Sequence, residues 1–343
     1  MIKRMYVNRI ESDKDSWNQL LNQEGIKSED NIEETFGFFE DNKLVATASR
    51  YQNVIKCVAV DSNSQGGSYF NEIISHVMNR NTQLGYFKHY VYTKPESKEA
   101  FKFLGFVDIE EVDGKLVFME KAISGFASFL KNLEKHKVDK ENISAIVMNA
   151  NPFTLGHKYL VETAAKNSDH VFVFVLSEEM SVFTSDIRRR LVSEGVKDFD
   201  NVTVLSTENY MVSNATFPSY FLKEDDDTTV IQARLDARLF ARHIAKALNI
   251  TIRFVGSEPY SKATNMYNEA MIKEFEGNLD LRIIERKASD DDIISATKVR
   301  NLLIADNLDE VKRFVPETTY AFLISDEGKK VIAALKESDH EHP

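Results

Sequence analysis

The chain is short of several things. It has one cysteine, one tryptophan and six prolines in 343 residues, and no apolar run nears the roughly 20 residues that a bilayer span needs. The single Cys57 excludes an intrachain disulfide and any zinc site built from several thiolates. It reads as a small buried apolar residue. Positive charge is also in deficit, with Lys+Arg 43 against Asp+Glu 54 and a net charge of -11 at pH 7. That balance argues against a long nucleic-acid partner, which requires a basic face to neutralise its phosphates. Small anions stay open, because a helix amino terminus binds them without net positive charge. The opening "MIKRMYVNRIESDKD" turns polar and acidic before any apolar centre of a secretory signal could form, so a cytoplasmic protein is expected.

What is present is a globular composition, 43% hydrophobic and 28% charged, long enough for two cores. Residues 1–122 open with strand-like runs, "ETFGFFED", "LVATASR" and "VIKCVAV", the first two joined by a turn at Asn42-Lys43, as in an antiparallel meander. A helix pattern follows a glycine pair, with Ile73, Ile74, Val77 and Met78 at helical spacing. Strand "KHYVYT", short helix "SKEAFKFLGF" and strand "KLVFMEK" complete this α+β pattern. Residues 123–142 read as a connector helix, with Phe126, Phe129, Leu130 and Leu133 on one face over Ile123 to Glu141.

From residue 143 to 343 strands and helices alternate. The strands "ISAIVM", "HVFVFVL", "VTVL", "ITIRFVG" and "LRII" are almost continuously apolar, which predicts a parallel sheet covered on both faces. This is a doubly wound α/β pattern, and ligands of such sheets sit beyond the carboxyl ends of the strands.

Two clusters lie at those ends. "NPFTLGHKYL", Asn151 to Leu160, follows the first strand. Pro152 stiffens the exit, and Gly156 removes the Cβ that would hold a phosphate away from the first helix amides. Asn149, Asn151 and Thr154 belong with Gly156 as nucleotide-binding candidates. His157 can aim an imidazole N–H at the same oxygens and stabilise charge developing on an α-phosphate. The second cluster, "ISATKVRNLL", follows the last strand; Ser295 resembles an N-cap, and Thr297 and Arg300 share a helix face. Each alone is also what an ordinary helix start looks like, a structural turn or an exposed cap. Two of them at one sheet's carboxyl ends are much less expected by chance.

Thr154-Leu155-Gly156-His157 with Ile294 to Arg300 resembles the paired T/H-x-G-H and I-S-S/A-T-x-x-R signature of the nucleotidyltransferase superfamily. The resemblance implies strand order 3-2-1-4-5, ATP between the motifs, Mg²⁺ on its phosphates with no metal ligand from the protein, and His157 and Arg300 as the catalytic pair. It also places Gly256 beside the adenosine, with Glu258 as a nucleotide or substrate contact or else a solvated loop residue. Over nearly the whole chain, "VMNANPFTLGHKYLVETAA", "SNATFPSYFLKE", "RFVGSEPYSKATNMYNEAM" and "ISATKVRNLL" resemble the [citrate (pro-3S)-lyase] ligase family. That resemblance implies acetyl-adenylate formation from ATP and acetate. The acetyl group then passes to the phosphoribosyl-dephospho-coenzyme A thiol of the citrate lyase acyl carrier subunit. Arg188 in "FTSDIRRRLV" matches a family arginine; it is a phosphate contact or, as the first of three consecutive arginines, an exposed residue, the second being preferred. Residues 1–122 resemble the GNAT acetyltransferase fold, but the loop Gln65-Gly66-Gly67-Ser68-Tyr69-Phe70 departs from the Q/R-x-x-G-x-G/A pattern at Ser68 and Phe70. Recognition of the coenzyme-A-like arm or of the carrier, or a purely structural role, is expected there rather than acetyl-CoA catalysis.

Other readings stay open. The shared motifs would also serve an adenylyltransferase acting on nicotinamide mononucleotide or phosphopantetheine. A class I aminoacyl-tRNA synthetase lacks support, with no Lys-Met-Ser-Lys-Ser loop and an acidic balance. A protein acetyltransferase run by the first domain is disfavoured by its altered loop. His340, His342 and the run Glu224 to Asp227 are expected to be solvated, and Trp17 to fill a core.

Overall fold

The computed structural model describes residues 1–64, 68–177, 181–211, 217, 220, 222, 227–257, 262–285, 288–289 and 292–341. It divides into two compact units, Met1–Asn132 with Asn214–Leu235, and Leu133–Ser213 with Asp236–Pro343.

The first unit runs β1 (Ile2–Met5), α1 (Glu11–Gln23), β2 (Glu34–Glu40), β3 (Lys43–Tyr51), β4 (Val54–Val60), α2 (Tyr69–Gln83), β5 (Lys88–Thr93), α3 (Lys98–Phe103), β6 (Val107–Val112), β7 (Leu116–Ala122) and then α4 (Phe126–Glu134). Its strands form a seven-stranded sheet in the order β1-β2-β3-β4-β5-β7-β6, an α+β arrangement. The helical spacing of Ile73, Ile74, Val77 and Met78 places all of them in the core with Phe36, Ile55, Val91, Phe101 and Val117. Strands β4 and β5 are parallel and pair only at Val54↔Tyr90 and Ile55↔Val91. Beyond that they part around a cavity of about 330 Å³ lined by Val58, Val60, Phe70, Tyr92, Lys94 and Tyr220, among others.

Residues from 214–235 count with this unit rather than with the second, as the contiguous division at residues 143–343 had it. The reason is visible in four contacts. Lys27 N–H donates to the Tyr220 carbonyl at 2.7 Å, the Tyr220 hydroxyl donates to the Tyr92 carbonyl at 3.2 Å, Phe217 meets the Tyr92 ring edge-on, and Arg234 pairs with Asp113. The connector helix is shorter than its apolar stripe suggested, Phe126–Glu134 instead of reaching Glu141. Phe126, Phe129 and Leu133 are buried, but Leu133 is followed by "EKHK" with nothing apolar to extend the stripe. The chain leaves the helix through turn bonds to the Leu133 and Glu134 carbonyls.

The second unit runs β8 (Ile143–Met148), α5 (Leu155–Lys166), β9 (His170–Val175), α6 (Ser185–Gly195) and β10 (Val202–Ser206), resumes at Asp236 in the last turn of α7 (Thr228–Leu239), whose earlier residues count with the first unit, and continues through a π-helical turn Phe240–Ile244, α8 (Ala245–Leu248), β11 (Ile252–Gly256), α9 (Lys262–Phe275) and β12 (Asp280–Ile284). A small hairpin of β13 (Ala288–Ser289) and β14 (Asp292–Ile293) leads into α10 (Ala296–Ile304), and α11 (Leu308–Val311), α12 (Glu317–Ile324) and α13 (Asp326–Glu341) follow. The sheet order is β10-β9-β8-β11-β12, which is the expected 3-2-1-4-5, and every neighbouring pair is parallel. Alternation within the strands loads both faces. Ile146, Met148, Val171, Val173 and Val175 pack with α5, α6 and α10, whereas Phe174 faces Phe240, which in turn meets Phe275. The central strands β8 and β9 are therefore buried on both sides, as their apolar runs required, while the edge strand β12 has no buried residue and exposes Ile283. Among the described residues, no helix is long and apolar enough to cross a membrane.

Cys57, in β4, is fully buried, and burial pushes its thiol up to about 12. Thiolate is the reactive form, so the native protein is expected to leave a thiol reagent such as Ellman's at neutral pH unconsumed and to release one equivalent only after denaturation. Rapid stoichiometric reaction of the folded chain would contradict this placement.

Candidate active site

Strand β8 ends at Met148, and the chain turns through Asn149, Ala150 and the cis Asn151–Pro152 bond into α5. Ala150 sits there at φ 51, a left-handed conformation costly for a residue with a Cβ. Thr154 is the N-cap of α5 and opens a reciprocal capping box with His157. Backbone and side chain cooperate at this point. Thr154 N–H donates to His157 Nδ1 at 3.0 Å, and a backbone amide can only donate, so Nδ1 must be the unprotonated nitrogen of a neutral ring. The ring proton then lies on Nε2. His157 is thereby fixed as an N–H donor at its far nitrogen, and its ring lies nearly parallel to Phe153, 5.8 Å between centroids.

Phe153 is fully buried and anchors the turn. Its ring occupies the space that a side chain at Gly195 would need. Leu155 N–H donates to the Phe314 carbonyl at 2.8 Å, which ties the first turn of α5 to the segment after α11.

The second cluster is built in the same way. Ser295 caps α10 by accepting from Lys298 N–H at 3.1 Å. Arg300, one turn in, donates from Nη2 to Thr297 Oγ1 at 3.1 Å and from Nη1 to the Asn151 carbonyl at 2.7 Å. Burial pushes the Arg300 guanidinium below its ordinary value, yet from so high a start it stays a cation at neutral pH. The two helix starts meet closely: a Cβ at Gly156 would stand 3.3 Å from the Ile294 carbonyl oxygen.

Between them lies a cavity of about 590 Å³. Asn149, Asn151, Thr154, Gly156, His157, Gly256, Ser295, Thr297 and Arg300 all line it. The sequence-predicted residues are thus brought together, with one exception: Glu258 lies outside the described residues, as do the glycines of the Gln65-Gly66-Gly67 loop and most of "SNATFPSYFLKE". A Cβ at Gly256 would touch nothing, so that glycine leaves room and does not relieve a clash.

Arg188 is a correction. The preference for an exposed arginine fails, since Arg188 is 0% exposed, unlike Arg189 and Arg190. Its guanidinium donates to three oxygens of Asn149 and Leu176 at the exits of β8 and β9, and to the Phe183 carbonyl just before α6. Sequence reasoning also missed Glu285, which follows β12 and lines the cavity; the rule that sites lie beyond carboxyl strand ends pointed to it. Ser181, which donates to Asn151 Oδ1 at 2.7 Å, carried no comparable signal.

The assembled features are two helix amino termini, a cation and a fixed imidazole N–H around one cavity. Backbone N–H groups and dipole ends of that kind attract anions. Comparison with known proteins identifies the family. The family model described as citrate lyase ligase C-terminal domain matches residues 143–323. The [citrate [pro-3S]-lyase] ligase of Haemophilus influenzae is 36% identical over 311 residues, covering 89% of this chain and 93% of that protein. The proteins of the same name from Klebsiella pneumoniae and Escherichia coli are 32% and 33% identical, over 99% and 89% of this chain and 98% and 88% of theirs.

The close approach at Gly156 makes a prediction. Gly156→Val places branched methyls against the Ile294 carbonyl, and overpacking of this kind costs about 1–3 kcal/mol. The thermal midpoint should fall by several degrees in calorimetry, and an unchanged midpoint would contradict the close approach of the two helix starts.

Proposed function

The chain belongs to the citrate lyase ligase family, and from that premise we propose that it activates citrate lyase by acetylating the thiol of the carrier subunit's prosthetic group, with ATP and acetate as the other substrates. The observation that carries this reading is the convergence of His157 and Arg300 on one anion-attracting cavity between two capped helix starts.

In this reading the triphosphate of ATP lies against the amides that open α5 and α10, with Arg300, Thr297 and Ser295 on the β- and γ-phosphates. Gly256 leaves space for the nucleoside, and Asn149, Asn151 and Thr154 complete the lining. Acetate is already an anion at neutral pH, so a carboxylate oxygen attacks the α-phosphorus without a general base. The bond from the α-phosphorus to the bridging oxygen breaks and pyrophosphate leaves with the electron pair. Alignment and charge neutralisation are what the protein must add. His157, its Nδ1 held by Thr154 N–H, donates from Nε2 to the oxygens on which charge grows. In the second half-reaction the carrier thiol attacks the acetyl carbon and AMP departs.

Mg²⁺ is proposed to travel with the nucleotide and to neutralise phosphate charge. It prefers hard oxygen ligands, and the side-chain hydroxyls and the Glu285 carboxylate would be the oxygen donors among the described lining residues, the carboxamide oxygens of Asn149 and Asn151 being taken up by Arg188 and Ser181. A protein thiol is not needed, in keeping with the suppressed ionisation of Cys57. The cavity between β4 and β5 is where we place the coenzyme-A-like arm of the carrier, and the cytoplasm, where ATP is held, is where we place the reaction.

Hydroxylamine added to enzyme, ATP, Mg²⁺ and acetate should trap acetohydroxamate with AMP and pyrophosphate as coproducts. Failure to form it with enzyme that binds ATP would overturn the reading, and accumulation of a dinucleotide in the presence of nicotinamide mononucleotide or phosphopantetheine would replace it with an adenylyltransferase. His157→Ala should lower the rate of pyrophosphate release by roughly 10²-fold or more while ATP binding is largely kept. Equal losses in both would assign His157 to ground-state binding. Titration calorimetry of the full chain with dephospho-coenzyme A should give saturable heat, and its absence would remove the arm from the first unit.

A further inference from the structure

Among the described residues, Arg188 is the bulkiest side chain that is fully buried. Its partners are specific. Nη1 donates to the Asn149 carbonyl at 3.0 Å, to Asn149 Oδ1 at 2.6 Å and to the Leu176 carbonyl at 2.8 Å, while Nε donates to the Phe183 carbonyl at 3.0 Å. Asn149 directly follows β8 and Leu176 directly follows β9, so a residue of α6 clamps the exits of two neighbouring strands.

The side-chain bond carries more information than the others. A carboxamide has one end that accepts and one that donates, and the torsion that exchanges them is broad. A guanidinium has donors only. The atom of Asn149 that faces Arg188 must therefore be oxygen, and the amino group is the end left for the cavity that Asn149 lines. Asn149 itself is exposed, and without the clamp its carboxamide could turn either end outward.

We infer that Arg188 is a positioning residue, which acts through Asn149 by fixing its Nδ2 amino group as a hydrogen-bond donor to a phosphate oxygen of the nucleotide. The inference rests on the cavity being the ATP site. Turned the other way, the same side chain would set its oxygen against an anion. The clamp makes an uncharged residue behave as a donor of fixed sense, beside the fixed N–H of His157. Arg188 makes no contact with the ligand in this arrangement; its effect on ATP runs through one neighbour.

The test is titration calorimetry of the full-length protein with ATP. Asn149→Asp keeps an oxygen for Arg188 but turns a second carboxylate oxygen toward the phosphates. It should fold with an unchanged thermal midpoint and bind ATP roughly 10- to 100-fold more weakly, the loss expected when a hydrogen bond to a charged group is removed. Asn149→Ala should fall in the same range. Arg188→Lys, which cannot reach all four oxygens at once, should weaken ATP binding by about tenfold in the native background and by less than about twofold once Asn149→Ala is present. A merely structural arginine would cost the same in both backgrounds, and that result overturns the proposal. So does Asn149→Asp binding ATP as the native protein does, which decides the matter even if Arg188→Lys fails to fold. A native protein that does not bind ATP would bring down the functional reading together with this one, whereas normal native binding with indifferent variants removes the clamp alone.

Discussion

The bond from Arg300 to the Asn151 carbonyl, 2.7 Å long, holds together what electrostatics alone would separate. Two helix amino termini, each with its partial positive charge, converge where Gly156 passes the Ile294 carbonyl, and the guanidinium adds a full charge between them. Positive ends brought together in a half-buried place repel. The main-chain carbonyls at the junction relieve some of that: Asn151 accepts from Arg300 and Phe314 accepts from Leu155. What remains is a cavity whose helix ends and guanidinium favour an anion, with the Glu285 carboxylate at its lining offsetting part of that charge, and this is the physical support for the proposed phosphate site.

Nearly every polar group around that cavity has its direction fixed by something behind it. Thr154 N–H sets the tautomer of His157, Ser295 and Thr154 satisfy amides of their own helices, and Ser181 bonds the Asn151 oxygen. Preorganised donors need no reorientation when charge develops, which is where their catalytic value lies. The scaffold supplies the rigidity: the site stands on the ends of strands buried on both faces, with Phe153 wedged beneath the turn at Gly195.

Much of this was legible in the sequence because the second unit's strands are almost continuously apolar and punctuated at their ends. The run "ISAIVM" is β8 to the residue, and the sheet order follows the expectation drawn from the motif pair. Thr154, Gly156, His157, Ser295, Thr297 and Arg300 were identifiable because a cap, a close approach and a cation each demand particular residue types. The rest was hidden for definite reasons. Strand β1 is four residues long with two of them exposed, β6 begins with exposed Val107 and Asp108, and α1 carries few apolar residues in "ESDKDSWNQLLNQ"; none stands out by periodicity. Arg188 was misjudged because it adjoins Arg189 and Arg190 in sequence, and only the packing of α6 against β9 separates one buried guanidinium from two exposed ones. The tautomer of His157 depends on a main-chain angle that no residue pattern encodes.

The placement of 214–235 with the first unit has a consequence for how this chain can be divided. No single scission yields two whole parts. A break after Asn132 leaves Met1–Asn132 without the Tyr220 hydroxyl that caps the Tyr92 carbonyl and without the Phe217 ring at its side. A break after Leu235 releases the missing piece but takes β8, β9 and β10 with it, and the sheet loses its centre. Recombination at any one point therefore takes part of one unit away, and the first unit cannot be moved as a single uninterrupted stretch of backbone.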